Sequence, residues 1–185
     1  MLNTFVVHVE NKPGVLTRVS SLFRRRAFNI DSLTVGRTEK PEVSRMTITV
    51  DADTDQAKRI EASLYKLVNV LLVENITDEP AITRDLAMIK IAAQHHDRAH
   101  VLQLANVFRA RVVDVAADSV TLEITGGEDK INGLLEVLRP FGVLEMVRTG
   151  IVAMRRGRKS STTGAPLEVM DEVSTEADED AGMSV

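Results

Sequence analysis

A short polar segment at residues 10–16 is the part of the chain best suited to bind a small ligand. Its sequence is Glu10-Asn11-Lys12-Pro13-Gly14-Val15-Leu16, and an amphipathic helical pattern follows it. The first backbone N–H groups of a helix lack internal acceptors and lie at the positive end of the helix dipole, so they can receive a carboxylate. Gly14 would let the backbone approach a ligand closely, and Asn11 could cap the helix or contact a polar group. The same residues also form a common strand-to-helix turn, so both interpretations stay open.

The histidines form a second group that could do chemistry. His95, His96 and His100 lie close together, and with Asp97 they could bind a metal if a helix began early enough. Asp97 is a better candidate for the N-cap of the following helix, which places His95 and His96 in a solvated loop. We therefore predict no metal site in this chain.

The residues that would support catalysis are missing. Because the chain has no cysteine, it has no thiol nucleophile, no disulfide and no thiolate metal site. Gly126-Gly127-Glu128-Asp129 is typical of a helix start and not of a phosphate loop, since no Gly-Lys-Ser/Thr follows it. There is also no Gly-x-Ser-x-Gly nucleophile turn. We predict that the chain contains no catalytic residues.

Two basic runs raise the question of nucleic-acid binding. Arg24-Arg25-Arg26 ends the first predicted helix, and a second run extends from Arg155 to Lys159. The chain contains one Tyr, five Phe and no Trp, so the aromatic side chains on which bases stack are scarce. The first run is better explained as a helix end whose cations complement the helix dipole. We predict no nucleic-acid partner.

Hydrophobic periodicity predicts the elements that must position these residues. Over residues 2–77 the pattern indicates strand, helix, strand, strand, helix, strand. The turn at residues 11–14 joins the first strand, 5–9, to the first helix. Asp53, followed three residues later by Gln56, is typical of a capped start for the second helix. The other strands are predicted over residues 28–35, 44–50 and 69–76.

The same order of elements repeats over residues 84–154. The predicted strands are 86–92, a hairpin of 111–115 and 120–125 around Ala117-Asp118, and a last strand over 144–154. The predicted fold class is therefore α+β, with two ferredoxin-like βαββαβ modules, each carrying two helices on one face of a four-stranded antiparallel sheet. Modules of this size bury a limited core and leave the other sheet face open, so we expect association.

Charge and composition separate the two modules from a tail. The chain has 185 residues and a net charge of −4, and seven of its 27 acidic residues lie between residues 160 and 185, where there is no Lys or Arg. We predict that residues 157–185 form a disordered acidic tail, because they cannot bury enough apolar surface to offset their ordering entropy. No stretch approaches the roughly 18 consecutive apolar residues of a membrane-spanning helix, and the N terminus does not resemble a signal peptide. Together with the absence of cysteine, these features favour a cytoplasmic protein with no membrane partner.

A set of short motifs in both modules resembles one family. In the first module the set includes Pro13-Gly14, Asn29-Ile30-x-Ser32-Leu33-Thr34-Val35 and Ser44-Arg45-Met46-Thr47-Ile48. In the second module it includes Glu123-Ile124-Thr125-Gly126, Pro140-Phe141-Gly142 and Arg148-Thr149-Gly150. Together they resemble the small, regulatory subunit of acetolactate synthase, an ACT-domain family that binds branched-chain amino acids. The resemblance covers about residues 2–154.

The resemblance implies how the chain is divided. We expect an ACT effector-binding domain over residues 2–77, a linker over 78–83 and a C-terminal ferredoxin-like domain over 84–156. The tail, 157–185, departs from the family's common core, so the resemblance gives it no role.

The resemblance also implies an effector site at the interface of a homodimer, formed by ACT domains that pair side by side. In one chain the effector's carboxylate end would be held by Asn11, Gly14, Val15 and Leu16, the last three through backbone N–H groups. The second copy would contribute Asn29 and Ile30 to the amino group and the side-chain end. Turn chemistry alone offers another explanation for Asn29, which could simply complete the turn into the second strand.

The function implied is that of a regulatory subunit without catalytic residues. It would stimulate a large catalytic subunit, which converts two pyruvates to 2-acetolactate and CO2 and also forms 2-aceto-2-hydroxybutyrate. It would confer feedback inhibition by valine or another branched-chain amino acid. Thiamine diphosphate, Mg²⁺ and FAD are expected on the large subunit and no cofactor on this chain. The alternative is a stand-alone ACT-type amino-acid sensor that acts on transcription.

Overall fold

A computed structural model describes residues 1–157 of the chain. The prediction of a disordered tail therefore falls almost entirely outside the described residues, as does the end of the second basic run. The first module has the predicted order of elements: β1 (Leu2–Glu10), α1 (Val15–Arg25), β2 (Ile30–Arg37), β3 (Val43–Asp51), α2 (Thr54–Leu64) and β4 (Val70–Asn75).

The first sheet has the strand order β2-β3-β1-β4, and each neighbouring pair is antiparallel. Because side chains alternate across a strand, one face of the sheet supplies the core. On that face, residues of β1 and β3 pack with α1 and α2, and their side chains are buried: Phe5, Val7, Val9, Met46, Ile48 and Val50. The opposite face carries polar side chains such as Thr47 and Thr49.

The start of α2 confirms the predicted capping box. The Asp53 side chain accepts a hydrogen bond from the Gln56 backbone N–H at 2.8 Å, and the Gln56 side chain accepts one from the Asp53 N–H at 2.9 Å. Two N–H groups at this helix end are thereby satisfied.

We expect Asp53→Ala to lower the free energy of unfolding by about 1 kcal/mol, because it removes the side-chain cap. Urea unfolding followed by circular dichroism measures the change. Asp53→Asn keeps an acceptor at the same position and should recover most of the loss. Equal stabilities of Asp53→Ala and the natural chain would contradict a stabilising role for the cap.

The second module contains a longer first strand than predicted. Its elements are β5 (Ala81–Ala92), α3 (His95–Val107), β6 (Arg111–Val115), β7 (Ser119–Gly126), α4 (Glu128–Leu138), a 3-10 turn (Arg139–Phe141), β8 (Val143–Arg148) and β9 (Val152–Arg155). The strand order is β6-β7-β5-β8, and β9 pairs with the N-terminal part of β5. The two helices cover a buried core formed mainly by Ala87, Ile89, Ile91, Leu122, Ile124, Ile131 and Leu134. Strand β5 thus begins inside the segment 78–83 that was predicted as a linker.

The predicted last strand over 144–154 is wrong in one respect, because the chain forms two strands there. Ala87 lies opposite Arg148, and Arg84 lies opposite Val152, so the outer chain uses one residue more than β5 over this stretch. The extra residue lies in the break Thr149-Gly150-Ile151, where Gly150 has a φ of +84°. A side chain at that φ is strained, and a Cβ on Gly150 would approach the Ser32 Cβ to 3.0 Å.

Two other predicted boundaries are shifted. Strand β2 begins at Ile30 and not at residue 28, because α1 ends in a Schellman motif in which the Phe28 N–H bonds to the Phe23 carbonyl at 3.1 Å. Helix α3 begins at His95 with Gln94 as its N-cap, so the prediction of Asp97 as the N-cap is wrong. Asp97 lies in the first turn of α3. A carboxylate at that position interacts favourably with the helix dipole, as a carboxylate at the N-cap would.

Strand β9 and the break before it cover part of the polar face of the first sheet. Val6, Ile76 and Ala153 form a small buried cluster there, with Ile151 packed against it. The Thr34 Oγ1 donates a hydrogen bond to the Ile151 carbonyl at 2.8 Å, and the Arg45 guanidinium donates one to the Ala153 carbonyl. Burial lowers the pKa of Arg45 below its ordinary value. The face that was expected to stay open is therefore partly covered by the chain itself.

A buried ion pair fixes the break to β5. The Arg148 Nε and Nη2 each lie 2.7 Å from the Asp85 Oδ2, and the Thr149 Oγ1 donates to the Asp85 Oδ1 at 3.1 Å. The side chain of Asp85 is 3% exposed and that of Arg148 is 26% exposed.

Among residues 1–157, no helix is long and apolar enough to cross a membrane.

Candidate functional site

The loop between β1 and α1 exposes unpaired backbone donors. The first helical hydrogen bond of α1 runs from the Arg18 N–H to the Gly14 carbonyl at 3.0 Å, so the N–H groups of Leu16 and Thr17 precede it and have no acceptor within the helix. The Val15 N–H makes only a long contact of 3.4 Å with the Lys12 carbonyl. Among residues 1–157, no side chain makes a capping hydrogen bond at this helix start. The start of α1 can therefore bind a small anion.

Gly14 makes this geometry possible. Its φ is +82°, in the left-handed region, and a Cβ placed on it would meet no atom within 4 Å. The space into which a side chain at position 14 would extend is thus open among residues 1–157. Val15 is 4% exposed and anchors the loop in the core, whereas Leu16 is 45% exposed and offers an aliphatic surface beside the N–H groups.

The side chain of Asn11 fastens the loop and does not cap the helix. Its Nδ2 donates to the Pro41 carbonyl at 2.8 Å, and its backbone N–H donates to the Glu42 carbonyl at 2.6 Å. Both acceptors lie in the connection between β2 and β3. Asn11 therefore holds the loop against the neighbouring turn.

Asn29 and Ile30 lie at the other end of the same sheet. Ile30 is opposite Val50 on β3, whereas Glu10, which starts the loop, is opposite Val43. These two positions on β3 are seven residues apart, or about 23 Å at a strand rise of 3.3 Å per residue. Asn29 is exposed and Ile30 is half-buried. A single chain therefore does not bring the two halves of the predicted effector site together.

A polar network behind the loop was not predicted from the sequence. Asn69, just before β4, accepts a hydrogen bond from the Glu10 N–H at 2.9 Å and donates from its Nδ2 to the Glu10 Oε2 at 2.5 Å. Arg18 donates to the Asn69 Oδ1, and the Lys12 Nζ lies 3.2 Å from the Glu10 Oε2. The hydrogen bond from Asn69, followed by that from Lys12, lowers the pKa of Glu10. Asn69 is 59 residues from Glu10 in the chain, so no local pattern could have indicated this contact.

The histidines of α3 do not converge. His95 and His96 lie in the exposed first turn of the helix and not in a loop, and the His96 Nε2 is 3.1 Å from the Asp97 Oδ2. The His100 ring packs edge-on against Phe141 with the ring centres 5.4 Å apart. Within residues 1–157, no group of three His, Cys, Asp or Glu side chains is arranged to hold a metal ion.

Comparisons with known proteins match both modules. Residues 5–72 match a family described as the AHAS small subunit-like ACT domain, and residues 84–157 match one described as the small subunit of acetolactate synthase. A probable acetolactate synthase small subunit from Archaeoglobus fulgidus is 48% identical over 159 residues, which are 86% of this chain and 99% of that protein. The acetolactate synthase small subunit of Mycolicibacterium smegmatis is 45% identical over 155 residues, 84% of this chain and 91% of that protein.

A solved structure agrees with the fold. The crystal structure of the acetolactate synthase small subunit from Thermotoga maritima superimposes with a TM-score of 0.79 at 37% identity, covering 85% of this chain and 99% of that one. The sequence matches and the shared fold lead to one conclusion: this chain belongs to the acetolactate synthase small subunit family.

Proposed function

We propose that this chain is the regulatory subunit of an acetolactate synthase. It binds a large catalytic subunit, raises the rate at which that subunit forms 2-acetolactate and CO2 from two pyruvates, and transmits inhibition by valine or a related branched-chain amino acid. The observation that carries the proposal is that the two family matches follow each other along the two modules and account for residues 5–72 and 84–157. Thiamine diphosphate, Mg²⁺ and FAD belong to the large subunit in this proposal, as does the formation of 2-aceto-2-hydroxybutyrate.

The effector would bind at the loop between β1 and α1. Its carboxylate would accept hydrogen bonds from the backbone N–H groups of Gly14, Val15 and Leu16, because the helix start offers N–H groups without helical acceptors. The Asn11 amide lies at the base of the same loop. The exposed side chain of Leu16 provides an aliphatic wall for a branched side chain.

The second half of the site would come from another copy of the chain. Strand β2 is at the edge of the first sheet and runs parallel to β1, so its end at Arg37 lies on the side of the loop and its start at Ile30 lies on the opposite side. If two copies pair antiparallel along β2, the start of one β2 reaches the end of the other. Asn29 and Ile30 of the second copy then approach the loop that the first copy's own Ile30 cannot reach. Residues 35–37 of this edge are exposed. A cleft of about 690 Å³ beside Leu33 to Arg37 separates the strand from residues of the second module.

Effector binding across such an interface would change the arrangement of the two ACT domains. A ligand shifts an equilibrium only by the difference in its affinity for the two arrangements, which is typically about 1–3 kcal/mol for regulatory coupling. Strand β2 also contacts the second module, through the hydrogen bond from Thr34 to the Ile151 carbonyl. A shift of β2 would therefore change contacts in both modules.

The test is reconstitution with the large subunit. We expect the chain to co-purify with the large subunit, to raise acetolactate formation, and to make that activity sensitive to valine, with leucine and isoleucine assayed in parallel. No stimulation would reject the regulatory role, and stimulation without sensitivity to any of the three would reject the effector site. Retention on DNA at a stated salt concentration, without binding to the large subunit, would support the sensor that acts on transcription.

A further inference from the structure

Asn69 connects the two ends of the effector loop. Glu10 is the last residue of β1, directly before the loop, and Arg18 lies in α1, one turn after Gly14. The Asn69 backbone carbonyl and Nδ2 both bond to Glu10, and its Oδ1 accepts from Arg18. One amide side chain thus bridges the segment that enters the loop and the helix that leaves it.

An amide at position 69 suits the chemistry of this bridge. The Glu10 carboxylate can only accept hydrogen bonds, and the Arg18 guanidinium can only donate them. A single side chain that satisfies both must carry a donor and an acceptor, and it must be short enough to lie between them. Asn meets this requirement, because Asp lacks the donor and Gln places its amide one methylene further from the backbone.

The loop itself has few other constraints. Gly14 adopts a left-handed conformation without a side-chain contact, and the helix start has no cap. Asn11 ties one side of the loop to the Pro41 carbonyl, and Asn69 ties the other side. The directions of the N–H groups at Gly14, Val15 and Leu16 therefore depend on these two amides together with the buried side chain of Val15.

We propose that Asn69 is a positioning residue for the effector site: without touching the effector, it holds the loop so that the N–H groups at the start of α1 converge on the effector carboxylate. The inference rests on the proposed effector site. It predicts that a change at position 69 affects effector affinity through the partners Glu10 and Arg18, and that restoring the lost donor and acceptor pair restores affinity.

The experiment compares four variants of the full chain with the natural chain. Asn69→Asp removes the donor and places two carboxylates together, and Glu10→Gln alone keeps an acceptor for Asn69. The double variant Glu10→Gln with Asn69→Asp restores the pair with its direction reversed, since the Gln amide donates to the Asp carboxylate and Arg18 still finds an acceptor. Asn106→Asp, at an exposed position of α3, is the matched control for the same chemical change elsewhere.

Two readouts are measured, and urea unfolding is followed in parallel. Valine titration calorimetry should show at least about a tenfold loss of affinity for Asn69→Asp, recovery to within about threefold for the double variant, and no change for the control. Amide hydrogen exchange without effector should be faster in Asn69→Asp at Asn11 and Arg18, whose N–H groups bond to the Glu42 and Gly14 carbonyls, and should return to normal in the double variant.

The outcomes are separable. Unchanged exchange in Asn69→Asp, or no recovery in a double variant that is as stable as the natural chain, would overturn the positioning role. If the natural chain bound none of the branched-chain amino acids, the proposed effector site would fail, and the inference about Asn69 would fail with it as a statement about effector binding. In that case the exchange data would still show whether Asn69 orders the loop, so the two failures can be told apart.

Discussion

Replacing Arg148 by alanine is expected to lower the free energy of unfolding by about 3–5 kcal/mol, because it leaves the Asp85 carboxylate buried without its cation. Asp85 is 3% exposed and accepts two contacts of 2.7 Å from Arg148, so in the folded chain the guanidinium supplies most of the stabilisation of its carboxylate charge. Only the Thr149 hydroxyl would remain as a donor from this break. Urea unfolding at neutral pH gives the measurement.

Two further variants serve as comparisons for Arg148→Ala. Asp85→Ala should cost less than Arg148→Ala, because the arginine left behind is 26% exposed and can reach water. Glu145→Ala removes one partner of the Lys90–Glu145 pair, which is exposed and lies on the same two strands, and should cost at most about 1 kcal/mol. If Arg148→Ala cost no more than Glu145→Ala, the buried pair would not be a main contributor to stability at this junction.

The second large effect is expected for effector binding. Gly14→Asp should weaken valine binding by at least about 100-fold, because a carboxylate at the helix start would occupy the place of the effector carboxylate, and hydrogen bonds to a charged group contribute about 1.5–3 kcal/mol each. The fold should survive, since a side chain at a φ of +82° adds strain of only about 1–2 kcal/mol and no atom of residues 1–157 lies within 4 Å of the added Cβ. Calorimetry with valine, beside a circular dichroism spectrum, measures both effects.

Gly14→Asn is the matched control for this substitution. Asn has nearly the same size as Asp and tolerates the left-handed φ of +82° about equally well, but it carries no charge. We expect Gly14→Asn to retain far more valine affinity than Gly14→Asp. Equal losses in the two variants would mean that strain, bulk or capping at position 14, and not the negative charge, causes the loss of affinity.

Features set by short stretches of sequence were predictable. The capping box of α2 depends on two residues three positions apart, and the apolar positions of α1 and α4 follow from helical periodicity. The position of the loop at residues 10–16 was predictable for the same reason, because a strand, a turn with Pro and Gly, and an amphipathic helix follow each other directly. Local rules of hydrogen bonding decide all of these features.

The predicted boundaries of helices and strands were wrong where two local conformations compete. At the end of α1, Phe28 has the apolar character of a strand residue, but its N–H closes the helix, with Ala27 at a φ of 55°. At the start of α3, Asp97 is acceptable both as an N-cap and as a first-turn residue, and the chain uses it as the latter. A pattern of residue types does not distinguish such alternatives, because each satisfies the same backbone groups.

Features that join distant segments of the chain could not be predicted from the sequence. The break after β8 depends on the approach of Gly150 to Ser32, which is more than a hundred residues earlier, and on the buried carboxylate of Asp85. The contact between Asn69 and Glu10 is of the same kind. Only the fold brings these residues together, and nothing in their immediate neighbours requires it.

The long strand β5 has a consequence for how the molecule comes apart. Its N-terminal part holds β9 against the first sheet, while its C-terminal part is an inner strand of the second sheet. Because the contacts between the modules run through β9 and the break before it, unfolding of either module would remove those contacts and destabilise the other. We expect that a protease cutting between residues 78 and 80, before β5, would leave the two fragments bound to each other through these contacts.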